Sequence, residues 1–237
     1  MFDRVKNEVP HQIMVADMSS SIGSRDLTKF DLWQDFGVIY AGAQKNLGTS
    51  GLTFVCIRDD VLARVKMIKE RSKIPVPPMM DWSLSASQKD FFYNTPSLFG
   101  IYMSHLMCEH MLEMGGIDYY EQLADTKAKK LYGFFDQSLK NVLESSERYG
   151  EAADGMKRVY FKNYIEPSLR SRMNVSFNLA SLDTHPSDHH ESQVLKTLEK
   201  DGFSGLKGHR SMGGFRASLY NSIEYEHVVA LCHQLGQ

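Results

Sequence analysis

The sequence predicts an α/β fold in two domains, on three observations. Short apolar runs bounded by glycine and polar turns recur in its first part, the texture of buried strands in a mostly parallel sheet. After Gly116, strand and helix patterns alternate, which suits a small α/β lobe with its sheet packed on helices. A chain of 237 residues, 42% hydrophobic and 24% charged, is long enough to bury one large core or two smaller ones.

Taken in order, Ile13 to Ala16 is a short apolar run closing on Asp17, followed by the polar loop MSSSIGSRD. Such a run fits a fully buried parallel strand. Gly37 to Ala41 (GVIYA) and Leu52 to Ile57 (LTFVCI) are further strands, split by a turn holding Gly48 and Gly51. Arg58, Asp59 and Asp60 cap a helix over Val61 to Arg71, where Leu62, Val65 and Ile68 fall at helical spacing. The stretch IPVPPMMDW has three prolines, which excludes helix and central strand and leaves an extended surface segment. Thr95 takes the N-cap position and Pro96 the first turn of a long apolar helix ending at Gly115-Gly116. The domain boundary falls there, dividing the chain into 1–115 and 116–237. The second part holds a helix from Asp118 to about Leu139 and a strand within RSRMNVSFNLA. A helix near Ser192 to Asp201, the glycine-rich GLKGHRSMGG, a strand in FRASLY and a final helix from about Ser222 complete it.

Several function classes are disfavoured. A net charge of -2 supplies no general drive toward nucleic acid or anionic membrane. The basic stretch VLARVKMIKERSK lacks interleaved aromatics and reads as a solvated helix face. Cys56, Cys108 and Cys232 are odd in number and set among apolar neighbours, as buried thiols of a reducing compartment are. The opening MFDRVKNEVPHQIMVAD has no secretory apolar core. The apolar stretch Leu98 to Met114 is interrupted by Ser104, His105, Glu109 and His110, so it reads as a buried amphipathic helix rather than a membrane span. A cytoplasmic protein is expected. His185, His189 and His190 lie near Asp183, Asp188 and Glu191, yet in a polar, proline-containing loop, and no metal is expected there.

The chemistry gathers on Lys45 and Asp17. The lysine follows Ala41, Gly42, Ala43 and Gln44, small residues where a surface turn usually carries charge, as if something bulky approaches the backbone. The acid stands at a strand end, where α/β proteins place their sites. An amine able to form a Schiff base and a carboxylate able to hold a pyridine nitrogen protonated together suggest pyridoxal phosphate (PLP). His209 and Arg210 sit in a glycine-rich loop that can approach an anion, and Arg216 lies on a strand whose neighbours Phe215 and Ala217 face the other way.

VADMSSSIGSR, VIYAGAQKNLGTSGLTFV, YNTPSLFGIYM, RSRMNVSFNL and LKGHRSMGGFRASLYNS, in this order, resemble the phosphoserine aminotransferase family of fold-type-I PLP enzymes. The resemblance runs from about Met14 onward. It implies the C-terminal part of a fold-type-I large domain, with a mostly parallel sheet, followed by a small α/β domain. It assigns Lys45 to the Schiff-base lysine, Asp17 to the partner of the ring nitrogen and Gln44 to the cofactor phosphate. Asn94 and Thr95 would reach the cofactor phosphate of a neighbouring subunit in a homodimer with shared active sites. His209 and Arg210 would bind the substrate phosphate, and Arg216 its carboxylate. The implied reaction joins O-phospho-L-serine and 2-oxoglutarate to 3-phosphohydroxypyruvate and L-glutamate in serine biosynthesis.

The segment from Arg25 to Phe36 is longer than the family's usual connection. The chain also begins later than family members do, so part of the large-domain sheet and several cofactor contacts are expected to be missing. Two alternatives follow: a remnant that dimerises without holding PLP, or another fold-type-I aminotransferase.

Overall fold

The computed structural model describes residues 12–29, 35–72, 75–88, 92–149, 159–182, 188–210 and 213–236, without the side chains of 145–149 and 188–189. The chain divides into two compact units, Met1–Asp118 and Tyr119–Gln237.

In the first unit, β1 (Val15–Asp17) pairs in parallel with β2 (Val38–Gly42), which pairs antiparallel with β3 (Thr53–Ile57). Alternation along the strands sets the faces. Ile39 and Ala41 join Met18 and Phe36 in a small core, with Ala16 packed against it. β1 departs from the fully buried strand expected of it: Val15 is 57% exposed, because β1 is the last strand of this sheet among the described residues. A period-two strand hides a side chain only where a layer covers its face.

Helix α1 (Asp59–Arg71) follows β3. Its N-cap is Arg58, which makes no side-chain capping bond; Asp59 and Asp60 sit inside the first turn, where their charges favour the helix dipole. Of its apolar residues only Val61 is buried, and Ile68 stands exposed. In the proline-rich segment residues 75–77 carry no regular secondary structure, Pro78–Met80 form a single 3-10 turn, and the chain then enters the short helix α2 (Trp82–Ser87). Asp81 caps α2, accepting from the backbone N–H groups of Ser83 and Leu84, from the Ser83 hydroxyl and from Lys69 of α1. These donors, Lys69 first, pull its carboxyl down to about 2. A carboxyl depressed in the folded state contributes stability above the ordinary value of 3.8 and loses it as pH falls toward 2. Protection of the 81–88 amides, taken relative to their intrinsic exchange at each pH, is therefore expected to fall between about pH 4 and pH 2 in advance of the rest of the unit. In Asp81→Asn that pH dependence disappears. Exchange that keeps its pH profile in the variant contradicts the assignment.

Helix α3 (Leu98–Glu113) starts later than expected. Its N-cap is Ser97, so Thr95 and Pro96 lie before the helix, where Leu98 N–H donates to Pro96 O at 2.9 Å. Only Gly100, Ser104 and Met111 are buried on it, on one stripe. That stripe meets the turn after β2: a Cβ on Gly48 would lie 2.7 Å from Ser104 Oγ, and one on Gly100 would lie 3.4 Å from Leu52 Cβ. The rest of α3 is open, with Phe99 68% and Leu112 73% exposed, which corrects the expectation of a buried helix. Apolar composition predicts burial only where some surface is present to bury it. Cys56 and Cys108 are exposed for the same reason, and only Cys232 is buried. Gly115 and Gly116, both at positive φ, turn the chain into α4 (Gly116–Tyr149).

The second unit is an antiparallel sheet, β4 (Val159–Lys162), β5 (Asn174–Ser181) and β6 (Phe215–Ser218), with α4, α5 (Asp188–Lys200) and α6 (Tyr225–Leu235). α4 extends well past Leu139, and β4, unassigned in the sequence, pairs with β5 from Val159↔Ser181 to Lys162↔Asn178. Ala124, Ala128, Leu131 and Phe135 recur along α4 at three- and four-residue spacing and are buried. Phe135, Phe161, Phe177 and Phe215 fill the centre, the last two stacked at 5.1 Å and 11°. Lys127, fully buried, donates to the carbonyls of Tyr220 (2.8 Å) and Ile223 (2.6 Å), and its burial lowers the ammonium to about 8. Two carbonyl acceptors partly replace the water the ammonium has lost, and the bond ties the loop before α6 to α4.

Among the described residues no helix is long and apolar enough to cross a membrane, and no group of three His, Cys, Asp or Glu side chains is placed to hold a metal. Asp183 and His185, and the side chains of Asp188 and His189, lie outside the described residues.

Candidate functional site

The turn after β2 presents Lys45. Ala41 and Ala43 are buried, and Gln44 folds back over Gly42, its Oε1 2.3 Å from where a Cβ on that glycine would lie, so a larger residue there would displace the end of the Gln44 side chain. The turn closes through Ala43 N–H to Leu52 O (3.0 Å) and Leu47 N–H to Ala43 O (3.0 Å). Asn46, 3% exposed, donates to the carbonyls of Ser20 (3.2 Å) and Ile22 (2.8 Å), fastening the serine loop that follows β1 to this turn. Lys45 Nζ donates to Ser20 Oγ at 2.7 Å.

Asp17 is gripped by the same loop. Its Oδ1 accepts from the Ser19 N–H at 2.9 Å, and Ser19 Oγ in turn accepts from Gly42 N–H at 3.0 Å. The Ser19 hydroxyl and N–H hold the Asp17 carboxyl below the usual carboxylate range, helped by the Tyr40 hydroxyl and the charge on Lys45 and opposed by partial burial. Each bond to an ionised group is worth about 1.5–3 kcal/mol when sheltered and less where water competes. The carboxylate is mostly open to solvent, so its desolvation cost is low and the donors prevail.

The first unit thus brings Lys45 and Asp17 together on one short serine loop, and Gln44 lies beside them with its side chain exposed. Asn94 and Thr95 belong to the same unit and stand exposed ahead of α3, where Asn94 Nδ2 donates to Thr95 O at 3.3 Å. Pairing of the loop with the turn depends on Ser19, Ser20 and Asn46, none of which was singled out from the sequence. The signal was present as a serine run beside a strand-end acid, but its partners follow only from the β1–β2 register.

The second unit carries His209, Arg210 and Arg216. Gly208 N–H donates to Gly214 O (2.9 Å) and Gly213 N–H to His209 O (2.9 Å), pinching a loop that leaves His209 and Arg210 exposed. A Cβ on Gly208 would fall 1.9 Å from Gly213 O, so the neck of this loop admits only glycine. Ser211 and Met212 lie outside the described residues. Phe215 and Ala217 point into the core, and Arg216 projects from the other face of the sheet, opposite Ser176. Its Nε is buried and has no hydrogen-bond partner among the described residues. An unpaired buried N–H of a guanidinium is costly unless an acceptor supplies the missing bond, and a carboxylate suits the fork.

The family model for class-V aminotransferases matches residues 2–231. A phosphoserine aminotransferase of Listeria monocytogenes is 40% identical over 233 residues, 98% of this chain and 52% of that protein. Among solved structures, the phosphoserine aminotransferase of Bacillus circulans subsp. alkalophilus superposes with a TM-score of 0.72 at 36% identity, over 95% of this chain and 52% of that one. The PLP-bound phosphoserine aminotransferase of Trichomonas vaginalis gives 0.74 at 31% identity, over 96% and 54%. The chain spans about half the length of the curated relatives it matches. Its α/β fold is that of the fold-type-I aminotransferases, as its sequence led one to expect.

Proposed function

This chain belongs to the class-V aminotransferase family, and from that membership we propose that it serves phosphoserine transamination. The reaction would pass an amino group between O-phospho-L-serine and 2-oxoglutarate, giving 3-phosphohydroxypyruvate and L-glutamate, in the cytoplasm. The observation that carries the proposal is the joint seating of Lys45 and Asp17 on the Ser19–Ser20 loop. The residues present suit PLP: a primary amine in a turn of small side chains and an ionised carboxylate beside it.

PLP, when bound, supplies an aldehyde for the amine and an electron-withdrawing ring. Lys45 anchors the cofactor and, once released, moves the proton at the substrate α-carbon. Asp17 holds a proton on the ring nitrogen. Gln44 meets the cofactor phosphate, and Asn94 and Thr95 meet that of a neighbouring subunit. His209 and Arg210 select the substrate phosphate, and Arg216 fixes its carboxylate. In this reading residues 1–115 form part of the cofactor-binding domain and residues 116–237 the small domain. Pairing of subunits is supported by the open face of α3, where Leu98, Phe99, Tyr102 and Leu112 are all exposed; apolar surface of this kind marks interaction sites.

The phosphate-selecting role is tested by Arg210→Ala. Phosphoserine turnover is expected to fall about tenfold or more, with the PLP dissociation constant within about twofold of the parent's, because a charged hydrogen bond to substrate is worth about 1.5–3 kcal/mol. Equal loss of turnover and of PLP binding overturns that role. The second reading, a chain that pairs with another subunit without holding cofactor, is favoured by the exposed β1 edge and α3 face. Visible absorbance of the chain mixed with PLP separates the two.

A further inference from the structure

We infer that Ser20 is a positioning residue for Lys45: its hydroxyl, carried on a loop that the neighbouring Asn46 fastens, seats the amine on the same loop that holds Asp17. The inference rests on the reading of Lys45 as the cofactor's anchor, and it concerns a residue to which that reading gives no role.

Lysine carries its amine on a flexible four-carbon stem, so the place of the amine is set by what it bonds. Lys45 is half-buried, and its Nζ donates to Ser20 Oγ at 2.7 Å, across 25 positions of sequence. An ammonium has donors alone, so this bond runs from lysine to serine. The hydroxyl is itself held in place. Asn46, next to Lys45 and 3% exposed, donates to Ser20 O at 3.2 Å and to Ile22 O at 2.8 Å. Within the loop, Ser21 N–H and Ile22 N–H both donate to Met18 O, at 2.9 and 2.8 Å. The buried Ser24 donates to Ser21 O from its N–H at 3.1 Å and from its hydroxyl at 2.7 Å. Ser20 Oγ therefore projects from a turn that is bonded on both sides.

The preceding serine holds the acid. Ser19 N–H reaches Asp17 Oδ1 at 2.9 Å, and Ser19 Oγ accepts at 3.0 Å from the N–H of Gly42, the residue that ends β2. Two consecutive serines thus set the spacing of acid and amine, one through its N–H and the other through its hydroxyl. A cofactor that meets both groups at once, through an aldehyde and a ring nitrogen, gains from a spacing set before it arrives. The bond leaves the amine reactive. Ser20 accepts one N–H, and the lone pair that appears on deprotonation stays available for attack.

The test uses the full chain, 15N-labelled, with the Lys45 ammonium assigned through Lys45→Arg. In the parent the Lys45 Nζ–H signal is expected to resist exchange with water at low temperature. In Ser20→Ala it should be lost, and in Ser20→Thr, which returns a hydroxyl, it should reappear. Alanine keeps the carbonyl that Asn46 uses, so the Asn46 side-chain amide signals are expected to stay in place. The second readout is the rate at which PLP attaches to Lys45, measured by borohydride reduction and peptide mapping. It should be about tenfold slower in Ser20→Ala and within about threefold of the parent in Ser20→Thr. A parent Lys45 signal that exchanges as fast as those of surface lysines, or one unmoved by Ser20→Ala, overturns the inference. Asn46 signals that vanish together with the lysine signal make Ser20 a loop residue only, and overturn it too. Should Ser20→Ala fail to fold, Ser20→Cys keeps the size of the side chain with a much weaker acceptor, and a Lys45 signal that persists there overturns the inference equally. Adding PLP separates this inference from the reading beneath it. A parent that takes no PLP on Lys45, while its Lys45 signal depends on Ser20, removes the cofactor from the account and leaves Ser20 as the seat of the amine. A parent that takes PLP on Lys45 at a rate that Ser20→Ala does not change removes Ser20.

Discussion

Lys45→Ala is expected to bring transamination of phosphoserine to background, a loss on the order of a thousandfold or more. Positioned acid–base catalysis alone contributes about 10²–10⁴-fold, and the covalent anchor is lost along with it. The fold should barely register the change. The hydrogen bond that Lys45 gives to Ser20 from a half-buried side chain is worth about 1 kcal/mol or less. Asn46 still fastens the serine loop to the turn. The measurement is therefore a pair: turnover, and a thermal melt on the same preparation. Residual turnover within tenfold of the parent would remove Lys45 from the chemistry. A melt that collapses together with activity would recast it as a structural residue.

Phe177→Ala is expected to be the most damaging change to stability. Phe177 is 1% exposed at the centre of β5, with ring centroids 4.7 Å from Phe135, 5.8 Å from Phe161 and 5.1 Å from Phe215. Truncating a buried phenylalanine removes its transfer free energy and leaves a cavity that the surrounding rings cannot fill, about 3–5 kcal/mol together. Domains are stable by only about 5–15 kcal/mol, so the second unit should lose much of its margin. Its urea midpoint is expected to fall steeply, while Phe177→Leu, which keeps most of the volume, costs roughly half as much or less. The loss should also reach Arg216, since β6 is held in register by the pairing Phe177↔Phe215. A Phe177→Ala chain that melts within about 1 kcal/mol of the parent would mean that the aromatic cluster is not the core of this unit.

What the sequence makes legible follows what local patterns can encode. Alternation fixed the face of Arg216, because Phe215 and Ala217 are apolar on either side of it and a strand has period two. The small residues before Lys45 lead one to expect something bulky close to the backbone; in the structure Gln44 folds back over Gly42 there. Thr95 and Pro96 matched a helix start by residue type, yet α3 begins after Ser97, whose side chain makes no capping bond, so residue type alone does not place the start. The burial of α3, β1, Cys56 and Cys108 was misjudged for one shared reason. Hydrophobicity states a preference for cover, and cover depends on which other surfaces are present. The fastening of the serine loop to the lysine turn lay beyond local reading altogether. Asn46 reaches the carbonyls of Ser20 and Ile22, residues more than twenty positions away, and only the fold brings them together.

The account turns on one covalent site, and one experiment reaches it without depending on turnover. The full chain is incubated with PLP, reduced with borohydride, digested and mapped by mass spectrometry. The account predicts that the reduced cofactor is found on the peptide carrying Lys45, at close to one per chain, and that Asp17→Asn lowers this yield. Label scattered over surface lysines, or none on Lys45 while other lysines react, would contradict it.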